Sequence, residues 1–296
     1  MTVVATPELL SRFDVPGPRY TSYPTADRFV EAFGEGDYVL ALQQRRQGAG
    51  GLASPLSVYV HIPFCQSLCY YCACNKIITQ KTHRAVEYLN YLKREIAMQA
   101  ALFDRTRTLR QLHLGGGTPT YLTREQLAEL MDCLHQAFNL DDSDEHEFSI
   151  EVDPRTISTE QIEHLRQLGF NRLSFGVQDF DPDVQAAVNR IQSVAETNAV
   201  IRDCRRNGFR SVNVDLIYGL PRQTRDGFRR TLDTVIATRP DRLAIYSYAH
   251  LPSMFRPQQR INAEDLPSPE VKLGLLQCAI DKLGEAGYVY IGMDHF

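Results

Sequence analysis

The sequence predicts an α/β chain built on a parallel sheet, either open or curled into a partial barrel. Two observations carry this prediction. Six strand-like segments are each followed by a helix-like one, the order that generates parallel crossovers. The strands are also apolar on one face and small and polar on the other, which a sheet covered by helices on both sides would not be.

The first strand is LSVYVHI (56–62), with a helix expected over 82–102. RQLHL (110–114) leads into 123–138, EFSIEV (147–152) into 158–168, and NRLSFGV (171–177) into 194–207. SVNVDLIY (211–218) leads into 224–238, and DRLAIYSY (241–248) into 267–286. The helices at 194–207 and 224–238 follow Ser or Thr caps and stop at Gly208 and Pro240. The last follows LPSPE and stops at Gly287, after which a short strand-like YVYIGM closes the chain. Gln47–Gly51 (QGAGG) is the one flexible hinge, so residues 1–50 read as an N-terminal extension and 51–296 as the β/α core.

Period-2 alternation separates the faces. Phe148, Ile150 and Val152 oppose Ser149, Glu151 and Asp153. Leu173, Phe175 and Val177 oppose Ser174, Gly176 and Gln178, while Val212, Val214 and Leu216 oppose Asn213 and Asp215. Tyr59 and His61 share a face of the first strand. A polar, small-residue face on parallel strands points to a ligand-filled lumen, wider and wetter than the packed core of a closed eight-stranded barrel.

With 32 Lys and Arg against 36 Asp and Glu, the net charge is −4, which argues against bulk electrostatic capture of nucleic acid or an anionic membrane. MTVVATPELLSRFDVPG has no basic segment before an apolar core, and no apolar run reaches transmembrane length, so the chain reads as cytoplasmic. The seven cysteines are odd in number, against a disulfide framework. Cys133, Cys204 and Cys278 read as small hydrophobes within helices. Cys65, Cys69, Cys72 and Cys74 form a cluster directly after the first strand. Their C-x3-C-x2-C spacing fits zinc poorly, although Cys74 could supply a fourth ligand. A [4Fe–4S] cluster held by three thiolates, with one iron open, fits better. GGGT (115–118) lacks the Lys of a Walker loop and reads as a close backbone approach to a ligand. His113 reads as a hydrogen-bonded strand residue, and the acidic run at 141–147 as a solvated loop.

YVHIPFCQSLCYYCACNK, GGGTPTYL, SIEVDPR, GFNRLSFGVQDF, NVDLIYGLP and YAHLP together resemble the oxygen-independent coproporphyrinogen III dehydrogenases (oxidases) of the radical S-adenosylmethionine superfamily. GPRYTSYPTA (17–26) resembles their N-terminal segment. The resemblance implies a partial (β/α)6 TIM-like radical-SAM barrel with an N-terminal extension. Related enzymes continue into a mostly helical C-terminal domain, whereas this chain ends at GMDHF, so the resemblance implies a shortened chain.

The same resemblance implies that Cys65, Cys69 and Cys72 ligate the cluster and that Cys74 does not. One S-adenosylmethionine would meet Tyr59, Gly116 and Glu151. A second would meet Tyr71, Gly117, Thr118, Gln178, Arg190, Asp215 and Ala249. Position 71 is usually Phe, so Tyr71 adds a hydroxyl. Tyr59 and His61 are the candidate catalytic residues, and Arg19 a candidate substrate cation, because arginine pairs with carboxylates in bidentate fashion. The implied reaction is radical removal of a propionate β-hydrogen from coproporphyrinogen III, with loss of carbon dioxide and an electron, repeated on a second propionate to give protoporphyrinogen IX. Its implied partners are the substrate and a small electron carrier such as flavodoxin, acting on a monomer. The alternative is a non-enzymatic haem- or cluster-carrying relative. Such carriers typically place an aromatic residue after C-x3-C-x2-C, whereas this chain reads C-A-C-N-K.

Overall fold

A computed structural model describes residues 6–13, 24–47 and 54–296. The QGAGG hinge beyond Gln47, and Arg19 with most of the GPRYTSYPTA segment, lie outside the described residues. Two helices come first, α1 (Pro7–Phe13) and α2 (Glu35–Gln47). The β/α series then runs β1 (Leu56–Ile62), β2 (Phe64–Cys65), β3 (Ile77–Ile78), α3 (His83–Ala100), β4 (Thr108–Gly116), α4 (Arg124–Ala137), β5 (Asn139–Leu140) and β6 (Glu147–Val152). It continues with α5 (Thr159–Gln167), β7 (Arg172–Gln178), α6 (Pro182–Ala187), α7 (Val194–Arg206), β8 (Ser211–Tyr218), α8 (Arg225–Thr238), β9 (Arg242–Ser247) and α9 (Pro269–Glu285).

The main sheet is parallel, in the order β1-β4-β6-β7-β8-β9, with β5 paired beside β4. Every step goes to the next neighbour in the same direction. Because parallel crossovers are right-handed, a strictly sequential order puts all the helices on one face. β1 and β9 do not pair, so the sheet is a partial (β/α)6 barrel with an open side.

That topology explains the two faces. Phe148, Ile150, Val152, Leu173, Phe175, Val177, Val212, Val214 and Leu216 pack under the helices at 4% exposure or less. Ser149, Glu151, Ser174, Gln178, Asn213 and Asp215 face the lumen and remain partly exposed. The core runs from β1 to α9 without a break. Three of its helices begin with reciprocal capping boxes, Thr123 with Gln126, Ser158 with Gln161, and Ser193 with Glu196. Cys204 and Cys278 are buried in helices as expected, while Cys133 is only partly covered. No helix among the described residues is long and apolar enough to cross a membrane.

One expected strand is missing. YVYIGM does not form a ladder, because Gly292, Met293 and Asp294 all take positive φ (107°, 50° and 68°) and turn the chain back. The residues beyond the turn pair antiparallel with the β9 edge instead, Leu243 N–H to Phe296 O at 3.0 Å and Phe296 N–H to Leu243 O at 2.9 Å.

Candidate active site

The cysteine loop leaves the sheet at Ile62 and is clasped at its base. β2 pairs parallel with β3, and Ile77 N–H donates to Pro63 O at 2.7 Å. Its far side rests on the turn after α6: Tyr70 N–H donates to Val188 O at 2.9 Å, and Asn189 Nδ2 to Leu68 O at 2.7 Å. A small apolar cluster of Val184, Val188, Ile217, Leu220, Tyr248 and Ile261 packs against Tyr70 and Tyr71 and anchors the loop to the strand ends.

Glycines hold the other wall close. Gly117 N–H donates to Ile62 O at 2.8 Å, and a Cβ on Gly117 would sit 2.7 Å from the Pro63 and Phe64 backbone. Gly116 (φ 116°) leaves room for the His61 ring, and Gly115 for the Glu151 carboxylate. The glycine run therefore serves first to pack β4 against β1 and the cysteine loop. The expected close approach to a ligand accounts for less of it, although Gly116, Gly117 and Thr118 do border the cavity described next.

A cavity of about 490 Å³ opens at the C-terminal ends of the strands. Cys65, Cys69, Cys72 and Cys74 line one side. Glu151, Gln178, Arg190, Asp215, Tyr71 and Ala249 line the others. Tyr59 and His61 lie outside this lining. Tyr59 is 57% exposed, stacks on His113 at 5.7 Å and has its hydroxyl 3.0 Å from His61 Nδ1. Burial, with Glu151 and Cys74 nearby, pushes the Tyr59 phenol up to about 12. His61 Nε2 meets Asn75 O at 2.9 Å, so these two residues link β1 to the cysteine loop from the rim.

Lumen side chains are tied into layers. His113 contacts Ser149 Oγ at 2.6 Å and Glu151 Oε1 at 3.3 Å, and Glu151 Oε2 accepts from Gly116 N–H at 3.0 Å. Deeper along the sheet, Asp215 accepts from Ser174 at 2.9 Å and Asn213 at 2.7 Å. Burial, reinforced by the Glu151 charge, raises the Asp215 carboxyl to about 6 against the pull of those two donors. Gln178 sits at φ 69° on a register shift between β7 and β8, and its Oε1 is buried without a partner. Tyr121 OH, on the same cavity wall, is likewise buried and unpaired.

The thiols are not equivalent. A hydrogen bond from Cys74 pulls the Cys72 thiol down towards its thiolate, aided against burial by the Lys76 ammonium, and Cys74 is pushed up in turn because it keeps the proton. Burial raises Cys65, against a contact with Thr118 Oγ1 at 3.6 Å. Cys69 faces two guanidinium groups. Arg190 Nη1 lies 3.5 Å from its sulfur and Arg155 Nη2 4.0 Å. The Asp153 carboxylate accepts from Arg155 Nε at 2.9 Å and Nη2 at 2.6 Å, with the Arg155 backbone N–H at 3.1 Å, and meets Arg190 at 3.5 Å. Burial alone would raise the Asp153 carboxyl, but the two arginines outweigh it and hold it below the ordinary range.

The family model for the radical SAM superfamily matches residues 59–235, from the strand before the cysteine loop to α8. The chain belongs to the radical SAM superfamily. Its cofactors are accordingly a [4Fe–4S] cluster and S-adenosylmethionine. The chain is 53% identical to the oxygen-independent coproporphyrinogen III oxidase of Pseudomonas aeruginosa, over 98% of this chain and 62% of that protein. Identity to the Escherichia coli oxidase of the same name is 49%, over 97% and 61%. The solved structure of the Escherichia coli coproporphyrinogen III oxidase, a radical SAM enzyme, superposes with a TM-score of 0.87 at 50% identity, over 94% of this chain and 62% of that one. The chain thus spans about 62% of the length of these relatives.

The residues present fit both radical SAM cofactors. Among the described residues, no three His, Cys, Asp or Glu side chains close on a single metal ion. The loop cysteines line one wall of the cavity, where three thiolates can face a cluster larger than a single ion. The orphaned Gln178 Oε1 and Tyr121 OH, with the carboxylates of Glu151 and Asp215, offer a ligand acceptors and a donor. Period-2 parity marks Asp153, but Arg155 follows Pro154 beyond the strand, where parity carries no signal. Gln258, 1% exposed, donates to Tyr71 O at 3.0 Å and Ala249 O at 3.1 Å, and nothing in its own sequence surroundings signals this.

Proposed function

We propose that this chain is the catalytic core of an oxygen-independent coproporphyrinogen III oxidase, converting two propionate side chains of coproporphyrinogen III to vinyl groups. The observation that carries the proposal is the cavity at the strand ends, which brings the C-x3-C-x2-C loop and the lumen carboxylates to one site in a chain about half identical to oxidases of that name. Cys65, Cys69 and Cys72 would hold the cluster, leaving Cys74 to hydrogen-bond Cys72. When bound, the reduced cluster and S-adenosylmethionine supply a carbon radical that can take a hydrogen atom from a substrate C–H bond.

The chain's own groups then have separable tasks. Gly116, Gly117 and Thr118 border the cavity beside the cysteine loop, where Glu151 and Asp215 present acceptors suited to ribose hydroxyls or an ammonium group. Tyr71, Gln178, Arg190 and Ala249 form the remaining wall for S-adenosylmethionine, one molecule or two. Tyr59 and His61 hold the rim, with the Tyr59 hydroxyl kept protonated at neutral pH. The cavity walls would hold one C–H bond in place, which is where positioning contributes most to rate. The sequence reading of residues 1–50 as an N-terminal extension to a 51–296 core is part of this proposal. An electron carrier such as flavodoxin and a reducing, cytoplasmic setting suit seven cysteines that are all free thiols. The carrier alternative gains no support, since the relatives named above are oxidases.

The test is an anaerobic incubation of reconstituted protein with reductant, S-adenosylmethionine and coproporphyrinogen III, read by mass spectrometry. 5′-Deoxyadenosine together with substrate lighter by carbon dioxide and two hydrogens per propionate is the expected result. 5′-Deoxyadenosine without product would assign cofactor cleavage, but not substrate turnover, to these 296 residues. Neither product, from protein carrying a full cluster, would overturn the oxidase reading.

A further inference from the structure

One loop sulfur is treated differently from the others. Cys69 Sγ has Arg190 Nη1 at 3.5 Å and Arg155 Nη2 at 4.0 Å. Cys65 Sγ meets the neutral Thr118 hydroxyl, and the Lys76 ammonium beside Cys72 donates to the Cys72 and Cys74 carbonyls, at 2.8 and 3.2 Å, rather than to a sulfur. The donors at Cys69 are also braced. Asp153 holds Arg155 in a two-bond fork, Arg155 Nη2 reaches Ser67 Oγ in the loop at 3.5 Å, and Arg190 is fixed to the Gly176 carbonyl. Two guanidinium charges against one carboxylate leave this group net positive beside a single sulfur. Arg190 is 7% exposed, so little water screens it.

Iron–sulfur reduction potentials respond to hydrogen bonds at the ligand sulfurs and to local charge, and outer partners of metal ligands tune the metal they never touch. One-electron reduction adds negative charge to the cluster, and part of it resides on the thiolates. Donors aimed at a thiolate stabilise that charge more in the reduced than in the oxidised form.

We propose that Cys69 is the tuned ligand of the cluster, and that Arg155, oriented by Asp153, raises the cluster's reduction potential through its sulfur. The proposal rests on Cys69 being a cluster ligand. Arg155 is then a positioning and tuning residue that acts through Cys69 and does not touch the substrate. The electron comes from an external one-electron donor, and no bond within the chain is made or broken.

The test is an anaerobic redox titration of reconstituted protein with dithionite, without S-adenosylmethionine, following the reduced-cluster signal by electron paramagnetic resonance. Iron and sulfide are measured per chain in every sample. In Arg155→Gln, the equilibrium constant for one-electron reduction is expected to fall about tenfold, equal to about 59 mV for a one-electron couple. Arg155→Lys, which keeps the positive charge but not the fork held by Asp153, is expected to fall in the same direction by less. It keeps the test decisive should Arg155→Gln load no cluster. Midpoints at or above the parent value in variants with full iron and sulfide would overturn the proposal, whatever happens to turnover. A parent chain that binds no cluster would overturn the ligand assignment itself, and iron analysis separates that outcome from the first.

Discussion

Asp215 carries a testable electrostatic signature. Its carboxyl binds a proton more readily in the folded chain, near pH 6, than in the unfolded one, where an ordinary aspartate value applies. Between roughly pH 4 and 6 the folded state therefore holds more protons, and stability falls as pH rises through that window. The shift corresponds to at most about 3 kcal/mol. Denaturant unfolding of the apoprotein at about pH 4.5 and 7.5 should show this loss, and Asp215→Asn should flatten it. An unchanged slope in the variant would remove Asp215 as its source. At this scale the sequence was legible where parity applies. Glu151, Gln178 and Asp215 lie on the polar face that alternation marks, and all three border the cavity. Arg155 and Gln258 were not legible, because each acts across the fold. Gln258 holds the carbonyl of Tyr71, 187 positions away, and a contact at that range leaves no local pattern.

Elements add constraints that single residues do not show. Gly117 lets β4 meet the cysteine loop backbone to backbone, so Gly117→Ala forces two main-chain segments apart. A loss on the order of 2 kcal/mol is expected, read as a lower denaturant midpoint, with weaker cluster retention. Retained stability would show that the loop can shift to accept the methyl group. Gln178 occupies a left-handed backbone position on a bulge, a device that re-aims a side chain at the cost of some strain. Gln178→Gly should therefore keep or raise stability by up to about 1 kcal/mol, while weakening S-adenosylmethionine binding measured by calorimetry. Loss of stability with intact binding would refute that division of roles. The strands and helices of the β/α core follow directly from periodicity and caps, as at Ser193 and Thr224, whereas α2, thirteen residues long, was not read, because its apolar residues run together from Tyr38 to Leu42 instead of recurring at helical spacing. β2, β3 and α6 did not, since elements of two to six residues are too short to establish a period. YVYIGM has strand composition, but three consecutive positive-φ residues override it.

For the molecule as a whole, strand order decides how the parts cooperate. A sequential parallel sheet sends every helix to one side and leaves the lumen to ligands, so core and site occupy opposite faces of the same strands. The faces were visible in alternation alone, while the partial barrel, open between β1 and β9, came from the family resemblance, because closure depends on strand tilt and stagger rather than residue type. Ligand binding should report on the whole chain. S-adenosylmethionine at a hundred times its dissociation constant is expected to stabilise the reconstituted protein by about 2.7 kcal/mol, seen as a rise in melting temperature. No rise at saturating ligand would mean that the folded chain does not bind it.

The anchoring of the cysteine loop onto the turn after α6 ties the loop's motions to those of the fold. Tyr70 N–H donates to the Val188 carbonyl, and Asn189 Nδ2 to the Leu68 carbonyl. The loop can then swing away only when that turn opens with it, so the two form one cooperative unit of local unfolding. Amide exchange at Tyr70 should therefore track that of the turn after α6, and Asn189→Ala should speed both; exchange at Tyr70 that ignores the substitution would show that the loop opens by itself.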